Sequence, residues 1–301
     1  MSQKLSIIRC LLRAVLDFVV FGNLYIGVCA LVMCRYTQLF FLLPSKDFFL
    51  PFVFFSTLCS YYFHLFLTPV PSVEIIGGSF SVSEMRGDRV NWTLRHKKVL
   101  GLLFVIGSVG AMYCFIPLIA YIIWLAPVGF LTGLYSAPKI PFAPFIYLRG
   151  YVVGKTLYLT VVWTYVTAVL PLLLLGKEWS LVYSAFVMNR FFLILPICML
   201  FDYRDLHEDK ASGIKNLMGF MTEWQMTVSF RVYLFLGFGT CAWLVLYSIS
   251  GLRQLTLGLP FVLLGLCVLR MRVFRSDFWY YVYLDSLMAG SGFAWLVFGY
   301  W

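Results

Sequence analysis

The sequence is poor in charged residues. Asp, Glu, Lys and Arg make up 12% of its 301 residues, whereas a soluble globular domain carries about a quarter. Acidic side chains are scarcest, with 13 Asp and Glu against 23 Lys and Arg. Hydrophobic residues account for 62%. This composition excludes an ordinary soluble domain and indicates an integral membrane protein.

The sequence also lacks the alternation of apolar and polar residues that is typical of a transmembrane β-barrel. Its apolar runs reach about 20 residues, enough to cross about 30 Å of hydrocarbon as helices. Eight cysteines are scattered without any C-x-x-C pair. We interpret them as small buried apolar side chains, neither disulfides nor metal ligands. The predicted fold class is an all-α polytopic membrane protein.

Nine apolar spans can be counted along the chain, and no low-complexity tract or short repeat divides them. They cover residues 7–34, 47–67, 98–113, 116–135, 150–174, 180–201, 227–250, 255–271 and 278–299. We therefore expect one transmembrane domain over residues 1–301. The N-terminal segment has no small-residue cleavage site, so we expect it to be retained.

The positions of the basic residues predict the orientation of these spans. With a cytoplasmic N-terminus, 18 of the 23 Lys and Arg residues fall in inner segments and 4 in outer segments, while Arg190 lies inside the sixth span. This bias favours nine helices and an external C-terminus. The net charge of +10 then reflects basic residues that set the orientation of the spans, so no nucleic-acid partner is expected. We expect a multi-pass protein of a bacterial inner (plasma) membrane, in contact with membrane lipid.

Acid is concentrated in one stretch, FDYRDLHEDKASGIKNL, at residues 201–217. Asp202, Asp205 and Asp209 have the spacing i, i+3 and i+7, which predicts one helical face within an arc of about 60°. Three carboxylates on one stripe repel each other, and a divalent cation relieves that repulsion. Oxygen ligands suit Mg²⁺, which bridges to phosphate oxygens, and Lys215 follows as a phosphate cation. The alternative is a solvated loop with incidental acids.

This acidic run, at the end of a sixth span out of nine, resembles the second aspartate-rich motif of the UbiA superfamily of intramembrane prenyltransferases. In the loop LYSAPKIP, Tyr135 and Lys139 match the family's Y-x-x-x-K motif after the fourth span. The resemblance implies nine helices around a central cavity open to lipid. It also implies that Mg²⁺ ions bridge two aspartate-rich motifs to a prenyl diphosphate. The allylic C–O bond then ionises, and a lipophilic acceptor captures the carbocation.

The family's first aspartate-rich motif is missing. At its place, the inner end of the second span, the chain reads STLCSYYFHLFLTPV without a carboxylate. His64 is the one ionisable group there, either a diphosphate donor or metal ligand or a structural hydrogen-bonding residue. Lysine and arginine can replace some of the missing metal charge at a diphosphate. The candidates are Lys139, Lys155, Arg204 and Lys215.

The loop SEMRGDRVNWTLRHKK, residues 83–98, carries three arginines, among them Arg89. It is either a lid over the predicted site or a loop whose positive charge only sets the orientation of the neighbouring spans. Inside the spans, Arg190 lies about 120° around its helix from Asp202. We expect Arg190 and Asp285 to form a mutual pair or to contact a polar cavity, because charge inside a membrane is expensive. Asn23 either lines that cavity or forms an interhelical hydrogen bond.

Three functions remain open. The first is an Mg²⁺-dependent prenyltransferase, with Asp205, Asp209 and Lys155 in catalysis and Asp202, Asp205 and Asp209 as metal ligands. The second is a non-catalytic relative that binds an isoprenoid lipid or acts as a membrane subunit. The third is a transporter, which the lack of an evident inverted repeat disfavours. The predicted substrate-binding residues are Asn23, His64, Tyr135, Lys139, Arg190, Arg204 and Lys215.

Overall fold

The computed structural model describes residues 2–67, 88–136, 155–174, 176, 178–206, 217–247, 251–269 and 277–299. These residues are overwhelmingly helical and contain no strand, which confirms the predicted all-α class. Five helical segments are long and apolar enough to cross a membrane, or six if a bent N-terminal pair counts as one span. The count of nine spans, the lipid-open cavity and the orientation of the termini stay predictions.

Thirteen α-helices lie in the described residues, with two short 3-10 turns and one π-helical turn. The α-helices are α1 (Ser2–Phe21), α2 (Leu24–Phe40), α3 (Phe49–Leu67), α4 (Asp88–Arg95), α5 (Lys97–Phe115), α6 (Ile122–Ser136), α7 (Lys155–Thr164), α8 (Leu170–Leu173), α9 (Leu181–Arg204), α10 (Glu223–Leu246), α11 (Leu252–Leu269), α12 (Asp277–Met288) and α13 (Gly290–Phe298). The 3-10 turns are Ile116–Tyr121 and Leu217–Phe220, and the π-helical turn is Tyr165–Val169.

Helices α2 and α9 form the centre of the bundle. Helix α2 packs against α1, α3, α12 and α13, and α9 packs against α7, α10 and α12. Tyr36, Phe40 and Phe186 join the two helices, with 4.8 Å between the ring centroids of Phe40 and Phe186. All three rings are buried. In contrast, α5, α6 and α10 expose many apolar side chains, as lipid-facing helices do.

The first predicted span is two helices, not one. Helices α1 and α2 meet at an angle of 60°. Asn23 lies at the break with φ 58° and ψ 7°, a left-handed conformation that asparagine adopts more readily than most residues. The hydroxyl of Tyr62 donates to the carbonyl of Gly22 and holds the break from α3. The predicted span 7–34 therefore contains two helices with a bend between them, because the left-handed residue turns the chain.

The third and fourth predicted spans lie in one helical segment. Helix α5 continues through the 3-10 turn into α6, and Lys97–Gly133 qualifies as a single 37-residue candidate span. Pro117 lies near the start of the 3-10 turn, and the chain stays helical through it. The predicted separation of two spans at residues 114–115 is not observed.

Pro171 shapes the fifth predicted span. Proline has no N–H, so the carbonyl of Thr167, four residues earlier, loses its α-helical donor. The chain forms the π-helical turn there, a local adjustment that occurs where proline frees backbone groups in membrane helices. The hydroxyl of Thr37 in α2 donates to the Thr167 carbonyl at 2.6 Å. The central helix thus supplies the donor that proline removes, because an unpaired carbonyl is costly in an apolar bundle.

Helices α10 and α11 pack through Gly237. A Cβ atom at this position would lie 2.1 Å from Cε1 of Phe261, whose ring is fully buried. We expect Gly237→Ala to lower the free energy of unfolding by about 1–3 kcal/mol, because the buried ring must move. The measurement is thermal unfolding of the purified protein in detergent.

Gly239→Ala is the matched control for this substitution. Gly239 lies on the same helix, and a Cβ atom there meets nothing within 4 Å. Alanine has the higher helix propensity, so this variant should be neutral or slightly more stable. Equal unfolding temperatures for the two variants would contradict the close approach of α10 and α11.

Candidate functional site

Two arginines from separate helices converge on one tyrosine ring. Cζ of Arg89 in α4 and Cζ of Arg204 in α9 each lie 4.4 Å from the ring centroid of Tyr281 in α12. Both distances are within the range of cation–π attraction. Because both atoms lie 4.4 Å from the same point, the two guanidinium carbons are within 8.8 Å of each other. Segments that are distant in sequence thus bring two positive charges together.

Asn23 holds Arg89 in this arrangement. Its Oδ1 accepts a hydrogen bond from Nη2 of Arg89 at 2.8 Å. The side chain is buried, and its Nδ2 has no hydrogen-bond partner. The expected interhelical hydrogen bond is therefore present, between the α1–α2 break and α4. One buried donor of Asn23 remains to be satisfied.

Arg204 is held by an acid and by aromatic rings. Its Nε donates to Oδ1 of Asp205 at 2.8 Å, and its Nη2 lies 2.7 Å from the same oxygen. Nη2 also donates to the Tyr281 hydroxyl at 2.5 Å. Cζ lies 5.0 Å from the ring centroid of Tyr280. Nη1 is buried and has no hydrogen-bond partner. We call Asn23, Arg89, Arg204 and Tyr281 the arginine cluster.

The aspartates at the end of α9 have different partners. Asp202 lies in the last turn, is 3% exposed, and accepts a hydrogen bond from the hydroxyl of Thr156 in α7. The helix ends at Arg204, so Asp205 is the capping residue, and its N–H bonds to the carbonyls of Phe201 and Tyr203. Across the described residues, no group of three or more His, Cys, Asp or Glu side chains could hold a metal ion. The predicted third ligand, Asp209, lies outside the described residues.

A second acid, Asp285, faces the arginine cluster from α12. It follows Tyr281 by four residues, so both lie on one face of the helix. It is 7% exposed, and the two cations whose charges act on it are Arg89 and Arg204. It is therefore a buried acid beside the cluster. The sequence did not indicate which charged residues it would face.

Arg190 lies apart from the arginine cluster. It precedes Asp202 by 12 residues, about 18 Å along the helix. Its Cζ lies 5.6 Å from the ring centroid of Tyr36 and 5.5 Å from that of Phe186. Its Nη1 donates to the carbonyl of Met288 at 3.4 Å. Among the described residues it forms no ion pair with Asp285. Of the two expected arrangements, the mutual pair is therefore not formed, because aromatic rings enclose the guanidinium instead.

The other predicted site residues are only partly described. His64 is half-buried in the last turn of α3. The backbones of Tyr135 and Lys155 lie in α6 and α7, but their side chains are outside the described part. Lys139 and Lys215 lie outside the described residues altogether. The roles predicted for these five residues stay predictions.

The arginine cluster has the chemistry of an anion site. Guanidinium groups form strong, directed hydrogen bonds to phosphate and carboxylate oxygens. Two buried donors, Nη1 of Arg204 and Nδ2 of Asn23, lack an acceptor, which is unfavourable unless something accepts from them. No protein-family model, curated protein or solved structure matches the chain. The functional assignment therefore depends on the residues of this chain.

The hydrogen bond between Thr156 and Asp202 predicts a stability difference. Thr156→Val keeps the shape of a fully buried side chain but removes a donor to a buried carboxylate. We expect a loss of about 1–3 kcal/mol in the free energy of unfolding. Thr156→Ser keeps the hydroxyl and should lose less.

A double-mutant cycle with Asp202→Asn separates the hydrogen bond from changes in packing. The measurement is chemical or thermal unfolding in detergent. Additive effects of Thr156→Val and Asp202→Asn would contradict a direct interaction between the two side chains.

Proposed function

We propose that this chain is a UbiA-like intramembrane prenyltransferase that binds a prenyl diphosphate at the arginine cluster. It would transfer the isoprenoid chain to a lipophilic acceptor, at the cytoplasmic side of a bacterial inner membrane. The supporting observation is the convergence of Arg89 and Arg204 on Tyr281, next to the acidic end of α9. The apolar helices around it suit the isoprenoid chain.

The proposed reaction needs positive charge at the leaving diphosphate, and two arginines can provide it. When the allylic C–O bond breaks, negative charge grows on the diphosphate, and fixed cations stabilise that charge. Helix α3 contains no aspartate or glutamate, so it provides no second acidic motif for metal ions. Arginine binds phosphate oxygens through a planar fork of donors. Arg89 and Arg204 would therefore hold the diphosphate and stabilise it as it leaves.

Free donors on Arg204 and Asn23, and the fixed position of Arg89, would give each residue a defined part in this binding. Arg204 packs against Tyr280 and Tyr281, which fixes its guanidinium plane, while its Nη1 has no partner. Arg89 is fixed by Asn23. Asn23 would contribute its Nδ2 to the same anion. Binding would satisfy donors that are already buried, so little reorganisation is needed.

Mg²⁺ belongs to the proposal as a further neutralising charge, held by Asp202, Asp205 and Asp209. Carboxylate oxygens are its usual ligands. Within the described residues, Asp202 accepts from Thr156 and Asp205 pairs with Arg204. These two residues alone do not form a metal site, so the fit depends on Asp209. The parts proposed for Arg89, Arg204 and Asn23 do not require the metal.

A second candidate function is binding of an isoprenoid diphosphate or related lipid without release of diphosphate. The observation that favours it is the engagement of Asp202 and Asp205 by protein donors. The first aspartate-rich motif is also missing. The chain therefore offers fewer ligands for the metal ions that the reaction of the UbiA superfamily uses. Such a chain would act as a lipid-binding protein or a membrane subunit.

Binding and release of labelled farnesyl or geranylgeranyl diphosphate test both functions. The protein would be placed in lipid nanodiscs with Mg²⁺ and membrane extract as the source of acceptor. Arg89→Ala should weaken binding at least about tenfold, because a charge-assisted hydrogen bond contributes about 1.5–3 kcal/mol. Arg89→Lys should recover part of the loss. Arg95→Ala, at an exposed position of the same helix, should bind like the unchanged protein.

Release of diphosphate separates the two candidates. Release that is lost in the Asp205→Ala, Asp209→Ala double variant supports the transferase. Binding that depends on Arg89 without any release supports the lipid-binding protein. Equal binding by the Arg89→Ala and Arg95→Ala variants, both shown to be folded by thermal unfolding, would overturn both.

A further inference from the structure

Helix α1 projects from the helical bundle. Its contacts are with α2, α4 and α12, and burial begins only in its last turns, where Phe18 is half-buried and Phe21 is buried. The preceding part, residues 6–16, is exposed on all sides. Six apolar side chains there are each at least 51% exposed. They are Ile7, Ile8, Leu11, Leu12, Val15 and Leu16.

The exposed part of α1 is amphipathic. At 100° per residue the six apolar side chains cover about half of the helix surface. Arg9 and Arg13 lie on the other half, one turn apart, and both are exposed. Cys10 and Asp17 share this polar half. An apolar half opposite a basic half is typical of helices that lie in a membrane–water interface.

Contacts at the break fix the direction of α1. Trp92 of α4 packs against Phe18 and Phe21, with centroid distances of 6.2 and 6.1 Å. Tyr62 donates to the carbonyl of Gly22, and Arg89 donates to Asn23. Two neighbouring helices, α3 and α4, thus hold the 60° angle between α1 and α2. Helix α1 therefore leaves the bundle at a set angle.

That angle suits an interfacial helix. The 17 residues of α2 are about 25 Å long, close to the thickness of the hydrocarbon core. With α2 along the membrane normal, a bend of 60° leaves α1 inclined at only 30° to the membrane plane. A transmembrane course would instead place Arg9, Arg13 and Asp17 in hydrocarbon, which is unfavourable.

We propose that α1 lies on an anionic lipid surface beside the bundle. Its apolar half enters the boundary between headgroups and acyl chains, and Arg9 and Arg13 contact lipid phosphates. The charge of the polar half selects anionic over zwitterionic lipid, because basic residues are attracted to a negatively charged leaflet. This proposal is independent of the function proposed for the arginine cluster.

Spin-label accessibility tests this placement in the full-length protein. Labels at Leu12→Cys and Leu16→Cys, each in a Cys10→Ser background, report the apolar half, and a label at the native Cys10 reports the polar half. The protein would be reconstituted in phosphatidylcholine vesicles with phosphatidylglycerol. We expect the ratio of collision with oxygen to collision with a water-soluble nickel chelate to be several-fold higher at residues 12 and 16 than at residue 10.

Lipid charge provides the second arm of the experiment. Vesicles of phosphatidylcholine alone, or the double variant Arg9→Gln, Arg13→Gln, should reduce this difference. Arg95→Gln, at an exposed position on α4, should leave it unchanged. Three outcomes would overturn the proposal: equal water exposure of all labels, equal hydrocarbon exposure of all labels, or strong coupling between labels of two copies, which would show a protein partner on this face.

Discussion

The hydrogen bond from Arg89 to Asn23 joins features on which much of the rest depends. Asn23 is in a left-handed conformation, and this conformation separates α1 from α2 and sets the direction of α1. The same side chain fixes the guanidinium of Arg89, which lies against Tyr281. Because Arg89 belongs to α4, this bond also fastens α4 to the break between α1 and α2. One hydrogen bond thus links the break between α1 and α2, the direction of α1 and the arginine cluster.

Elsewhere the bundle follows the requirement that polar groups be satisfied away from water. Where Pro171 removes a donor, the hydroxyl of Thr37 replaces it at the Thr167 carbonyl. Where Asp202 is buried, Thr156 donates to it. In each pair, a threonine supplies the donor from a neighbouring helix, so the same bond that satisfies the group also fastens two helices. The few unsatisfied donors are consequently informative, and two of them lie in the arginine cluster.

Hydrophobic run length predicted helices well where a single span lies between turns. The predicted spans 47–67 and 180–201 correspond to α3, Phe49–Leu67, and α9, Leu181–Arg204. Breaks and continuations were harder, because they depend on tertiary contacts: Tyr62 and Arg89 hold the left-handed Asn23, whereas Pro117 is accommodated in a helical turn. For the proposed site, the sequence suggested Arg204 and the acidic end of α9. It did not reveal that Tyr281 completes the arginine cluster with Asp285 beside it, because residues from distant segments meet only in the folded chain.

The charges of the cluster bear on how the proposed anion site would hold together before an anion binds. Asp285 is almost fully buried beside Arg89 and Arg204, and it forms no ion pair to either within 4 Å in the described part of the chain. Asp205 pairs directly with Arg204, and both side chains are partly exposed, at 30% and 23%. A partly exposed ion pair contributes little stability, so a phosphate bound as proposed would displace Asp205 from Arg204 at small cost. The displaced carboxylate would then be available to a cation that accompanies the phosphate. The buried and the exposed acid thus differ in burial and in partners, which their number in the sequence alone does not distinguish.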